Sequence, residues 1–280
     1  MKVRENAVKI GLCATALMAV AALVIVVAYV FFNGVGIINL AFLLESPYRF
    51  EYGGIFPQII GSLCLVGVCL LFAVPLGVAS AIYLVEYAPD NIITASVRFF
   101  VECLAGIPSI VIGLFGLVFL VYHLGLGISM LSGGLTLGFM ILPWTVRASE
   151  EAIKVVPRSY MEASLALGAS KWQSIWGVIL KSAYPGIITG ILLGMGKAMG
   201  ETAVVLLTAG SGLESFLPQS ILDPVASLPV YIYMLATQGH TQASYSRAFG
   251  ASLVLLTMFL IISVLALFLR NRYIRRNSGF

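Results

Sequence analysis

The sequence predicts an all-α membrane protein, a single domain of six transmembrane helices spanning residues 1–280. Three observations predict it. Of 280 residues, 60% are hydrophobic and only 10% charged, against about 25% charged in a soluble domain. Uncharged or nearly uncharged runs long enough to cross a bilayer recur at about 10–32, 58–85, 98–122, 129–148, 187–209 and 248–269. The basic residues are also segregated. Lys2, Arg4, Lys9, Arg98, Arg147, Lys154, Arg158, Lys171, Lys181, Arg270, Arg272, Arg275 and Arg276 fall on one side of the alternating loops, and only Arg49 and Arg247 on the other. That bias, thirteen against two, places both termini in the cytoplasm. The net charge of +4 is spread over loops and ends, so it is not a nucleic-acid footprint.

The first run, 10–32, is too long for a secretory h-region and ends Tyr-Val-Phe-Phe rather than in small residues, so it reads as an uncleaved span. Residues 33–57 form an outer loop holding Glu45, Arg49 and Glu51, with a short interfacial helix at 37–44. Pro75 predicts a kink in the second span. The third span contains Gly106-Ile107-Pro108-Ser109, followed by Gly113 and Gly116. Two readings stay open there: an ordinary kinked helix, or backbone freed at depth that lines a cavity. A tight turn at 123–128 leads to the fourth span, which carries Pro143 near its inner end. The long outer segment 210–247 holds a short apolar stretch, 228–236, expected at the membrane interface. No internal repeat is visible. Cys13, Cys64, Cys69 and Cys103 all lie in apolar runs without metal-ligand spacing and read as buried hydrophobes.

The inner loop 150–185 is the longest amphipathic stretch. Ser159 and Glu162 have capping-box spacing, Gly168 offers a left-handed helix stop, and Ser170 and Gln173 repeat the box. Trp172, Ile175, Trp176 and Ile179 form an apolar stripe, and Pro185-Gly186 closes the segment. Two short helices joined at a glycine are predicted, too short to stand without a docking partner. A DNA-reading helix-turn-helix also joins two helices through a glycine, but the flanking spans leave no room for one.

The sequence offers almost nothing for catalysis or for binding a metal. His123 and His240 fall on the outer side without evident partners, and the stretch 190–197 fails the phosphate-loop pattern. The fifth span is the informative one. Gly186, Gly190, Gly194 and Ala198 make a small-residue ridge, expected to face a partner subunit. Lys197 and Glu201 are four apart near mid-span, where an unpaired charge costs roughly 2.5–3.5 kcal/mol. They are expected to pair, either to hold helices together or to line a polar path with Lys197 contacting an anion. Glu102 in the third span is a weaker candidate.

The motif E-A-S-x-x-x-G at 162–168, namely Glu162, Ala163, Ser164 and Gly168, resembles the coupling signature of ABC-importer permeases. Val178 and Leu180 continue that pattern, while Lys181 stands where proline is usual. Gly200-Glu201-Thr202-Ala203, Gly106-Ile107-Pro108-Ser109 with Gly113 and Gly116, Leu228-Pro229-Val230, and Arg147 with Glu150-Glu151-Ala152 and Val156-Pro157 together look like the PstA-type permeases of phosphate importers. Two departures stand out: Lys197 in place of an arginine, and Val204 where a proline is common. The resemblance implies a MetI-like fold with cytoplasmic coupling helices in a prokaryotic cytoplasmic (inner) membrane. It also implies a permease subunit that moves substrate by alternating access and is not itself an enzyme. ATP and Mg would be bound by partner subunits, with no cofactor on this chain. The implied partners are a second permease (PstC-like), an ATPase dimer (PstB-like), a phosphate-binding protein (PstS-like) and membrane lipid. Glu162, Ala163, Ser164 and Gly168 would dock the ATPase, and Lys197, Glu201, Arg147, Pro108 and Ser109 would line the path. Importers of another oxyanion such as molybdate or sulfate, and a membrane scaffold or intramembrane enzyme, are the alternatives the residues leave open.

Overall fold

Helix α1, Lys2–Gly34, is apolar on every side over residues 10–32, and its side chains there are mostly exposed. Near its end Gly34 sits against the carbonyl of Phe249 and Tyr29 meets the Phe249 ring edge-on at 5.5 Å. The computed structural model describes residues 2–48, 52–211 and 216–277; Arg49 and Glu51 lie outside the described residues. After a 3-10 turn at Val35–Ile37 comes α2, Leu40–Leu44, started by Asn39, whose side chain accepts from the Phe42 amide at 2.7 Å. A two-residue hairpin follows, β1 (Pro47–Tyr48) antiparallel to β2 (Tyr52–Gly53).

Helix α3, Phe56–Ile82, keeps Pro75 inside it and runs on through a π turn at Tyr83–Tyr87. Helix α4, Ile92–Ala105, is capped by Asn91, which accepts from the Thr94 amide at 3.0 Å. The chain then breaks at 106–108 and restarts as α5, Ser109–Gly116, ending in a π turn at Leu117–His123. The two halves are bent by 100°. The expected third span is therefore a broken helix and not a kinked one, because Pro108 has no amide hydrogen to continue the helix. Gly125 and Gly127, at φ +68° and +69°, turn the chain at 123–128.

Helix α6, Met130–Lys154, is the central element, with buried residues along its whole length. Gly134 and Gly138 admit Val68 and Phe72 of α3, and Gly77 of α3 admits Thr145. These close approaches let α3 and α6 share a core of Leu65, Cys69, Leu137, Met140 and Ile141. Cys13 and Cys103, by contrast, are exposed, which corrects the reading of all four cysteines as buried.

The coupling loop differs from expectation in two ways. Its first helix, α7, Arg158–Ala166, starts at Pro157, so Ser159 lies inside the helix and makes no cap. Its second, α8, Lys171–Ser174, passes through a π turn at Ile175–Ile179 straight into α9, Leu180–Met199. Pro185 and Gly186 lie within α9 and close nothing. The expected fifth span thus begins early and ends early. It stops at Gly200 and restarts as α10, Ala203–Thr208. Helix α11, Leu228–Gln238, is buried against α2 and α12 (Gln242–Asn277), with Leu228, Tyr231 and Leu235 fully enclosed, and does not lie loose at the interface.

Among the described residues, Lys9–Ile37, Phe56–Tyr87, Lys171–Met199 and Gln242–Arg275 are long and apolar enough to cross a membrane, and the bent pair α4–α5 makes a fifth if counted as one span. Helix α6 is as long but rich in Gly, Ser and Thr. A helix walled by other helices has no need of a lipid-facing surface.

Candidate translocation and coupling sites

Helix α7 has no buried residue. Glu162 and Ala163 are exposed, and Ser164 is half-buried because the Ser174 hydroxyl donates to its oxygen at 2.8 Å. The helix ends as the sequence predicts. Gly168 takes φ +86°, its amide donates to Leu165, and the Ala169 amide donates to Ser164. Ser170 then accepts from the Gln173 amide at 3.3 Å while the Gln173 side chain accepts from the Ser170 amide at 2.8 Å. The predicted second capping box is complete. Of the apolar stripe, Ile175 and Ile179 are buried against Ile82 and Ile153. Trp172 and Trp176 face outward, beside Tyr83 and Tyr87. A nine-residue helix joined to the body on one side only is marginal by itself, and its other face is exposed on this chain.

Next to this loop lies a charge network that sequence reasoning missed. Glu150 of α6 is 2% exposed and lies 3.2 Å from Arg98, 3.7 Å from Arg147 and 4.0 Å from Lys154. Arg98 also donates to the Leu84 carbonyl at 2.9 Å, tying α4 to the end of α3. Arg147 reaches Glu102 at 3.3 Å and Glu151 at 3.9 Å. The signal was there: Arg147, Glu150, Glu151 and Lys154 follow i, i+3, i+4, i+7. Arg147, expected along the path, is thus drawn partly into this network at the inner end of α6.

The expected Lys197–Glu201 pair does not form. Helix α9 ends at Met199 with Gly200 as its cap, so helical i, i+4 geometry does not extend to Glu201. The Glu201 carboxylate instead turns forward and accepts from the Ala203 and Val204 amides at 3.1 and 3.5 Å, satisfying the opening turn of α10. Lys197 sits 4.7 Å from the centre of the Trp144 ring of α6. Such a contact returns roughly 0.5–1 kcal/mol at an exposed site, part of the roughly 2.5–3.5 kcal/mol that a lysine costs at the centre of a bilayer. The glycine ridge also faces inward. A Cβ on Gly190 would stand 2.2 Å from Ala148 Cβ, and one on Gly186 would stand 2.7 Å from Ala152 Cβ. The ridge packs α9 on α6 of the same chain, not on a partner subunit. A run of small residues marks a close approach without saying to what.

Pro108 and Ser109 stand at the α4–α5 break. Gly113, one turn on, packs against Val204 and Ala203 of α10. The two helix breaks therefore lie side by side, within about one helical turn in depth. Among the described residues, no hydrogen bond or ion pair links Pro108 or Ser109 to Lys197 or Arg147. The second break was not foreseen. Its one signal was a glycine followed by a capping-type Glu-Thr pair.

Residues 73–278 match the family of binding-protein-dependent transport system inner membrane components. A probable ABC transporter permease protein, YqgI, of Bacillus subtilis is 37% identical over 91% of this chain and 90% of its own length. A probable phosphate transport system permease protein PstA of Methanocaldococcus jannaschii is 39% identical over 76% of this chain and 74% of its own. The phosphate transport system permease protein PstA 1 of Mycobacterium tuberculosis is 38% identical over 82% and 74%. Among solved structures, a bacterial ABC transporter involved in import of the acidic polysaccharide alginate matches 97% of this chain and 99% of its own, with TM-score 0.63 at 17% identity. The MetNI methionine ABC transporter matches 80% and 94%, with TM-score 0.54 at 19% identity. These neighbours show the MetI-like ABC permease fold. The exposed short helix α7, the paired broken helices and the family match are consistent with one another. The chain belongs to the inner membrane components of binding-protein-dependent transport systems, as a permease subunit and not an enzyme.

Proposed function

We propose that this chain is the permease subunit of an ATP-driven importer of inorganic phosphate, working by alternating access in a prokaryotic inner membrane with both termini cytoplasmic. The observation that carries an anionic cargo is Lys197. It is an exposed ammonium inside a span, and among the described residues no carboxylate forms an ion pair with it. Phosphate in particular is supported by relatives at 38–39% identity that are phosphate permeases by name. A passing anion needs weak, transient cationic contacts, since tight binding prevents release.

In this reading α7, with Glu162, Ala163, Ser164 and Gly168, seats in a PstB-like ATPase, which binds ATP and Mg. A PstC-like permease completes the path along Lys197, Arg147 and the two helix breaks at Pro108-Ser109 and Glu201. A PstS-like protein delivers cargo from outside. A second reading, import of sulfate or molybdate, is favoured by one feature: lysine offers a point charge without the bidentate fork that arginine gives phosphate. Purifying the intact complex with its binding protein and measuring ATPase activity against phosphate, sulfate and molybdate decides between them. Stimulation by phosphate alone is expected; stimulation by either other anion alone overturns the substrate.

A further inference from the structure

We infer that Trp144 is the positioning residue of the anion path, holding the Lys197 ammonium in place while leaving its charge unneutralised. The inference rests on the oxyanion-importer reading above and adds to it a residue and a role. Lys197 lies 4.7 Å from the Trp144 ring centre. Its expected carboxylate partner, Glu201, is engaged by the amides of α10. A carboxylate would fix the lysine and cancel its charge. An aromatic face fixes it and cancels nothing, since the ring has no net charge and accepts none of the three ammonium hydrogens in a full hydrogen bond.

The ring also belongs to a continuous strip. Trp144 and Arg147 are three apart on α6 and are exposed to similar extents, 46% and 48%. Lys197 continues the strip on α9, toward the outer end. An arginine, a lysine and the tryptophan between them cannot all face lipid hydrocarbon. This strip is therefore the face that meets the partner permease across the path. A small oxyanion passing along it meets Arg147 at the inner end, where Glu102 and Glu151 moderate the charge. Deeper in, it meets Lys197, which among the described residues is moderated by the ring and by no carboxylate. Trp144 thereby sets both the place and the strength of the deeper contact.

The test uses the intact complex in proteoliposomes with its binding protein, and reads phosphate uptake per assembled complex. Trp144→Phe, which keeps an aromatic face, is expected to retain uptake within about threefold of the parent. Trp144→Leu is expected to lose about tenfold while assembling normally. On a Lys197→Met background, Trp144→Leu is expected to cause no further loss, since the ring then has no ammonium to hold. Unchanged uptake in Trp144→Leu overturns the inference. So does a full additional loss on the Lys197→Met background, or loss of assembled complex in Trp144→Leu, each of which makes the ring a packing residue. If the parent carries sulfate or molybdate and not phosphate, the substrate reading fails. The same three comparisons, made with that anion, still decide the role of Trp144.

Discussion

Gly168 shows how one residue carries a site. A Cβ there would meet nothing within 4 Å, yet φ is +86°. The constraint is conformational, not steric: an L side chain at positive φ costs roughly 1 kcal/mol, and more for a β-branched one. We expect Gly168→Asn, which tolerates that conformation, to keep ATPase association and uptake. Gly168→Val should weaken both by misdirecting α7. Co-purification of the ATPase with each variant checks this, and equal behaviour of Asn and Val would count against the cap. At Glu150 the constraint is electrostatic. Its carboxylate is enclosed, but Arg98, Arg147 and Lys154 are each about a third exposed or more, so solvent screens part of the interaction. Glu150→Gln should destabilise by about 1–3 kcal/mol, less than for a fully buried pair. A lowered thermal midpoint of the purified complex is the readout, and an unchanged midpoint would show the network to be inert.

Among the elements, the α6–α9 contact is the tightest to test. Gly190 stands where a Cβ would fall 2.2 Å from Ala148 Cβ. Gly190→Leu therefore overpacks the contact, at about 1–3 kcal/mol or more. Gly190→Ala combined with Ala148→Gly should restore stability that Gly190→Ala alone loses. The yield of folded protein in detergent measures this, and failure of the pair to rescue would mean that the helices do not meet there. The same elements mark how far the sequence was legible. Run length and composition gave a mostly apolar, helical membrane chain with an exposed amphipathic loop, because solvent preference is written into composition. The expected six spans meet four qualifying helices among the described residues, or five with the bent pair. Ser170 and Gln173 gave their capping box because a cap is local. Ser159 and Glu162 did not, since Pro157 had already begun the helix two residues earlier. Pro108 gave one break because proline cannot donate. The break at Gly200 had no proline to announce it, and with it went the expected pairing of Lys197 with Glu201. The ridge at Gly186, Gly190 and Gly194 was legible as packing but not as packing on α6, because helical spacing names a face and not its neighbour.

At the scale of the whole molecule the open quantity is the number of crossings, and it turns on α4–α5. If the bent pair re-enters from the inner side, α6 reverses direction and the coupling loop moves outside. If it crosses, the turn after His123 lies outside and both termini lie inside. The contacts favour crossing. The Ser129 amide, just past that turn, donates to the Thr208 carbonyl at 3.0 Å, and those of Met130 and Leu131 donate to Asp223 and Ile221 at 2.9 Å. The turn therefore stands at the same end as the close of α10, the end opposite α7. Helices α5 and α10 also run side by side from their breaks toward that end. A helix that leaves α4 at the inner side and finishes beside Thr208 has traversed the protein, bend included. Gly113, just past the break, packs against α10, while Gly106 and Pro108 stay exposed on this chain, so the freed backbone there needs a cavity or a covering partner. We therefore expect single cysteines placed at Gly125 and at Gly168 in a chain lacking its four native cysteines to be labelled from opposite sides of the membrane. Gly125→Cys should react with an impermeant thiol reagent in intact cells, and Gly168→Cys only after the cells are opened. Labelling of both from the same side would establish a re-entrant α4–α5 and remove α7 from the reach of a cytoplasmic ATPase.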